Sequence, residues 1–297
     1  MIPSDNVYMN LPPIQSPIMT STGFAVSDGA KLYFEDTGLG VPILFIHEYA
    51  GDHRSWEPQV RHFSRHYRCI TYNARGYPPS DVPTDSSLYS MKQAARDAIA
   101  VLDAAGIEKA HIVGLSMGSF ASLQVGMDFS ERCLSLVPVG CGHGAHPDEY
   151  AKSQAIFHAS ADRLLKIGMQ AYAEEYAVGP FRIGFRSKDP RGWEEFRTHL
   201  SQHSAQGAAM TLRSVQGGRP SLWDLADPLS RIDLPVLLIT GDGDTPTLLP
   251  NLFLKQTLKR SGLCVVPRTG HTVNLEEPAR FNQILDDFLV LIASGRC

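Results

Sequence analysis

Short apolar runs alternate with stretches of helical periodicity along most of this chain. Phe24 to Val26 and Lys31 to Glu35 flank Asp28-Gly29, which predicts an opening antiparallel hairpin. The run from Ile43 that ends at His47 predicts a buried strand, Trp56 to Phe63 a helix, and Cys69 to Tyr72 another buried strand. Met91, Ala95, Ala98, Ile99 and Leu102 recur on one helical face; Ser90 with Gln93 predicts a capping box at its start, and Gly106 its end. His111 to Val113, Leu134 to Val139, Leu237 to Thr240 and Leu263 to Val266 read as further strands. Phe281, Ile284, Leu285, Phe288 and Ile292 then repeat at helical spacing. Apolar strands separated by helices predict an α/β fold, a mostly parallel central sheet with helices on both faces.

The rhythm breaks between about Gly142 and Ser230, where two long helical patterns, Pro147 to Val178 and Gly192 to Ser204, occur without a convincing strand. The expected organisation is therefore an N-terminal arm (1–21), an α/β core (22–141 and 231–297) and a helical insertion (142–230).

Gly114-Leu115-Ser116-Met117-Gly118 follows one of the strand patterns and opens a helical one. In that context G-x-S-x-G reads as a nucleophile turn. Small residues on either side let strand and helix approach closely, and the serine hydroxyl is exposed at the carboxyl edge of the sheet. The helix starting near Met117 points unpaired N–H groups at any negative charge that develops beside the serine. Two further segments add an acid and a base: Gly241-Asp242-Gly243-Asp244 ends one late strand, and Gly270-His271-Thr272 follows the next. A serine hydroxyl needs a base to take its proton, and an imidazole needs an acid behind it to fix its tautomer.

With Ser116, then an acid, then His271 in that order, the chain resembles the α/β-hydrolase family over nearly its whole length. The resemblance implies an α/β-hydrolase fold with residues 142–230 as a helical cap. It also implies a triad of Ser116, Asp244 and His271, Asp244 being favoured over Asp242 because the family places the acid three residues after the glycine that ends the strand. The family's oxyanion hole implies backbone donors at Met117 and at Tyr49, in the loop His47-Glu48-Tyr49-Ala50-Gly51 that resembles His-Gly-x-x-Gly. Position 48 departs from that pattern, with Glu where the family has Gly. Glu48 is expected either to face solvent or pair with Arg75, or to act beside the oxyanion by repelling anionic substrates or holding a water. Asn73 to Asp81 resembles the family's Asp-x-Arg-Gly-x-Gly-x-Ser segment, with Asn73 for Asp and Pro78 for Gly, and reads as a structural turn.

Serine at the turn excludes the family's dehalogenases and epoxide hydrolases, which attack with Asp. The implied activity is hydrolysis of a small to medium neutral carboxylic ester or lactone through an acyl-enzyme. The alternatives are a carbon–carbon bond or enol-lactone hydrolase of aromatic catabolism, against which Thr272 stands where such enzymes carry Trp, a perhydrolase, with which Tyr49 is compatible, and a non-catalytic ligand receptor of the same fold. Glu48, Cys141 and His143 are candidate pocket residues. Arg182 and Arg186 read as exposed insertion arginines rather than carboxylate clamps, and Trp193 and Trp223 as packing residues.

Composition narrows the setting. The 297 residues are 43% apolar, enough for a large core, and the net charge of −4 with mixed signs gives no nucleic-acid footprint. No apolar run is long enough to span a membrane, and the proline-bearing first twenty residues lack the pattern of a signal peptide. Five cysteines without metal-like spacing predict no disulfide framework, a reducing, cytoplasmic setting and no metal. No cofactor is expected, the partner is the small-molecule substrate, and a homodimer is left open.

Overall fold

The computed structural model describes residues 19–296. Most of the expected N-terminal arm (1–18) and Cys297 lie outside these residues. Thr20 and Ser21, assigned to the arm, already belong to the first strand.

Eight strands form one sheet: β1 (Thr20–Ser27), β2 (Ala30–Thr37), β3 (Val41–Ile46), β4 (Tyr67–Tyr72), β5 (Ala110–Leu115), β6 (Cys133–Val139), β7 (Val236–Gly241) and β8 (Ser261–Val266), in the order β1-β2-β4-β3-β5-β6-β7-β8. β1 and β2 form the antiparallel hairpin and β2 is antiparallel to β4. All later pairings are parallel. Helices cover both faces: α1 (Glu57–Phe63), α2 (Met91–Ala104), α3 (Met117–Asp128) and, after the insertion, α9 (Thr245–Thr257) connect parallel strands, and α10 (Val273–Glu276) and α11 (Pro278–Ala293) follow the last one.

The alternation of side chains along each strand divides the core in two. Leu44 and Ile46 of β3, with Ile112 and Leu136, pack toward α2 and α3. Ile43 and Phe45, with Val113, Val137 and Ile239, pack toward Trp56, Phe63 and the Phe281, Leu285 and Phe288 face of α11. A strand buried on both faces needs apolar residues at every position, which is why β5 and β7 read as continuous runs.

Among the described residues no strand occurs between β6 and β7. That stretch carries α4 (Pro147–Ala177), α5 (Ile183–Lys188), α6 (Pro190–Ser201), α7 (Ala205–Met210) and α8 (Ala226–Ser230). The first long helical pattern is broken: Gly168 adopts φ 78° and ψ 164°, an extended left-side conformation open to glycine, so α4 runs as two segments. The capping box expected at α2 is only half formed. Ser90 accepts from the Gln93 N–H, but the Gln93 side-chain oxygen accepts from Arg96 rather than from the Ser90 N–H, while its amide nitrogen donates to Asp97 (2.8 Å) and Ser27 (3.2 Å). The amide nitrogen is turned inward onto the carboxylate of the buried Arg75–Asp97 ion pair, and the oxygen is taken by Arg96. Arg75 also donates to the Ser27 carbonyl, so the Asn73–Asp81 loop is tied to the hairpin.

No helix among the described residues is long and apolar enough to cross a membrane, and no group of His, Cys, Asp and Glu gathers as metal ligands there. The four described cysteines are free.

Candidate active site

Ser116 sits between β5 and α3 with φ 54° and ψ −109°, a conformation costly for a residue with a Cβ. Neighbouring packing holds it there. A Cβ on Gly114 would stand 2.0 Å from the Gly118 carbonyl oxygen, and one on Gly118 would stand 2.2 Å from that of Ile46, so both positions require glycine. The Ser116 N–H donates to the Val139 carbonyl at 2.8 Å, extending the β5–β6 ladder up to the serine itself. No side chain caps α3, which leaves the first-turn N–H groups, Met117 among them, facing the serine's side of the helix end.

Asp244 and His271 meet from two separate loops. Asp244 follows β7, His271 follows β8, and the parallel pairing of these strands brings both loops to the same sheet edge. His271 Nδ1 lies 2.6 Å from Asp244 Oδ2, with both side chains buried, and the Thr247 hydroxyl lies 3.0 Å from the same oxygen. Burial alone would lower the imidazole pKa, but the charge and hydrogen bond of Asp244 outweigh it and the net shift is upward. For Asp244, burial pushes up, His271 pulls down, and the net direction is down. Asp242 is exposed and accepts the Thr269 N–H at 3.2 Å, in the turn. Behind His271, buried Glu276 accepts the Gly270 N–H at 2.9 Å and steadies the loop from its far side.

The loop after β3 is fixed through its carbonyls. His47, fully buried, donates from Nδ1 to the Glu48 carbonyl at 2.6 Å and accepts the Ala74 N–H on Nε2 at 3.0 Å. Those partners set one neutral tautomer, and burial lowers the His47 pKa to about 4. Tyr77 donates to the Tyr49 carbonyl at 2.8 Å. Because a trans peptide places N–H opposite C=O, clamping the Glu48 carbonyl also fixes the direction of the Tyr49 N–H.

Glu48 neither faces solvent nor pairs with Arg75, contrary to the expectation. Its Oε2 accepts from Arg182, and both side chains are buried, 1% and 0% exposed. Arg182 is therefore not an exposed arginine either. Arg186 is exposed and lies over Trp193, its guanidinium carbon 4.8 Å from the ring centre. Trp193 and Trp223 are half-buried packing residues, Trp223 stacked on Phe253 at 4.3 Å.

Cys141 is fully buried and its thiol is pushed up to about 12 by that burial, so it is a neutral packed group. The His143 ring meets Phe181 edge-on at 4.9 Å, and Phe181 lies 5.3 Å from the His271 ring. Burial lowers the His143 pKa to about 4. Arg219, also buried, lies 3.7 Å from the ring centre of Phe120, one helical turn beyond Ser116, and donates to the His143 carbonyl. Phe181, Tyr176, Arg219 and Glu276 were not legible as site residues. The one available signal was Glu48 itself, a charge in an apolar loop that needs a counter-ion, without any indication of which arginine supplies it.

The family model for the alpha/beta hydrolase fold matches residues 41–278. A putative 2-succinyl-6-hydroxy-2,4-cyclohexadiene-1-carboxylate synthase of Bacillus subtilis is 26% identical over 282 residues, covering 92% of this chain and all of that protein. The 3-oxoadipate enol-lactonase 1 of Acinetobacter baylyi is 27% identical over 248 residues, 83% of this chain and 88% of that protein. Among solved structures, a thermophilic esterase from Thermogutta terrifontis superposes with a TM-score of 0.81 at 24% identity, covering 92% of this chain and 99% of that one.

Proposed function

We propose that this chain, which belongs to the alpha/beta hydrolase fold family, hydrolyses a neutral carboxylic ester or lactone, with Ser116 as nucleophile, His271 as base and Asp244 as its orienting acid. The observation that carries the reading is the buried 2.6 Å contact between His271 Nδ1 and Asp244, at the same sheet edge as a serine held at φ 54°. With Nδ1 committed to Asp244, Nε2 is the nitrogen left to take the Ser116 proton. The hydroxyl oxygen then attacks the carbonyl carbon, and the oxygen that becomes negative is met by the Met117 and Tyr49 N–H groups. Collapse of the tetrahedral adduct breaks the bond to the alkoxy oxygen, which leaves with the proton from His271. Water, deprotonated by the same imidazole, attacks the acyl-serine; Ser116 regains its proton and the acid departs. In a lactone the leaving alkoxy group stays attached to the acid. The enol-lactonase relative keeps lactones within this proposal.

In this reading the α4–α8 segment is the cap. Tyr176 lies 6.1 Å from Tyr49, and Phe181 packs on His271, so cap side chains close the site from solvent and select the acyl group.

The test is hydrolysis of p-nitrophenyl esters from acetate to octanoate, together with simple aliphatic lactones, by the wild type and Ser116→Ala. The expected loss in the variant is at least ~10⁴-fold in kcat, with the wild-type chain-length optimum sizing the acyl pocket. A wild type inert on every ester and lactone, or a variant as active as the wild type, would refute the proposal.

A further inference from the structure

The mechanism above makes no use of the buried Glu48–Arg182 pair. The Arg182 guanidinium lies against two aromatic rings, its central carbon 5.2 Å from the centre of Tyr176 and 4.7 Å from that of Phe196. A flat cation held against rings presents its edge to a carboxylate, whichever molecule that carboxylate belongs to. Here it belongs to the protein. Each partner also keeps a buried atom without a hydrogen-bond partner among the described residues, Oε1 of Glu48 and Nε of Arg182. A pair present only for stability gains little from burial in that incomplete state.

Its place is close to the reacting groups from both sides. Glu48 immediately precedes Tyr49, and Arg182 immediately follows Phe181, the ring packed on His271. The imidazole senses both charges, Glu48 raising its pKa and Arg182 lowering it.

We infer that Glu48 is a specificity-determining residue: its side chain fills, from within the chain, an anion site walled by Arg182, Tyr176 and Phe196, and so confines the acyl pocket to uncharged groups. The inference rests on the ester- and lactone-hydrolase reading and names the acyl class that site accepts. A substrate carboxylate arriving here meets a guanidinium that is already paired and a like charge beside it, which is discrimination by repulsion as well as by occupancy. Removing the Glu48 carboxymethyl group leaves an acetate-sized space against an unpaired guanidinium.

The test compares the wild type, Glu48→Ala, and Glu48→Ala combined with Arg182→Met. Two readouts are taken: the kcat/KM ratio for mono-p-nitrophenyl glutarate over p-nitrophenyl valerate, and Tm in sodium acetate against sodium chloride at equal ionic strength. Glu48→Ala should raise the anionic-to-neutral ratio by about tenfold or more and should gain Tm in acetate but not in chloride; the double variant should lose both gains. A folded Glu48→Ala showing neither gain overturns the inference. So does a wild type that already hydrolyses both esters equally, or a variant that fails to fold in acetate as well as in chloride. Folding in acetate alone supports it. Absence of any wild-type ester turnover would count against the hydrolase reading, and the acetate readout would then decide the anion site by itself.

Discussion

Under the proposed mechanism, replacing Asp244 by Asn is expected to lower kcat for ester hydrolysis by about 10⁴-fold, with little change in KM. The amide cannot stabilise an imidazolium, and its NH₂ group favours the tautomer that carries the proton on Nε2, where a base needs a lone pair. The variant also moves the acidic limb of the pH profile. In the wild type the Asp244 charge outweighs burial and holds the His271 pKa above its ordinary value, so with His271 as the proposed base activity is expected to rise as pH passes upward through that raised pKa. Without the charge, burial remains, the imidazole pKa falls, and the limb of the residual activity shifts to lower pH. A pH profile of kcat/KM for both proteins checks this; an unshifted limb would place the acid elsewhere.

The second large effect is on stability. Arg182→Met leaves the buried Glu48 carboxylate without its cation and costs about 3–5 kcal/mol. At ~2–4 °C per kcal/mol for a chain of this size, Tm falls by roughly 10 °C. Adding Glu48→Gln removes the stranded charge and restores most of the loss, because a neutral amide beside a methionine of similar volume needs far less solvation. Thermal unfolding of the two single variants and the double variant measures the coupling; additive losses would mean that the pair is not the unit holding the β3 loop to the helical insertion.

The parts of the fold that were legible are those governed by short-range rules. β5 and β7 are apolar at nearly every position because both faces are covered, and the α2 and α11 faces repeat at helical spacing. The turn at Ser116 was legible for the same reason. The contact that forbids a Cβ at Gly114 arises within the strand–turn–helix unit, whereas the one at Gly118 comes from the end of β3, far away in sequence, so only the first requirement is written locally. What escaped was set by tertiary contacts and local breaks that residue type alone does not announce. Glu48 finds Arg182 134 positions later. The Gln93 side-chain oxygen accepts from Arg96 rather than from the Ser90 N–H, while its amide nitrogen donates to Asp97, itself paired with Arg75. The break in α4 at Gly168 was invisible because the helical period resumes beyond it. Glu276 reads as an ordinary charged helix residue, although its carboxylate accepts the Gly270 N–H one position before His271. For Glu48, Gln93 and Glu276 the residue type was visible and its partner was not.

The proposed hydrolysis depends on Ser116 as nucleophile. Incubating the protein with a fluorophosphonate ester and measuring intact and peptide mass tests it directly, because the reagent bonds covalently to a serine oxygen activated by a neighbouring base, with loss of fluoride. The expected result is one adduct per chain, located on Ser116, absent in Ser116→Ala and strongly slowed in Asp244→Asn. An unmodified wild-type protein, or an adduct that persists in Ser116→Ala, would contradict it.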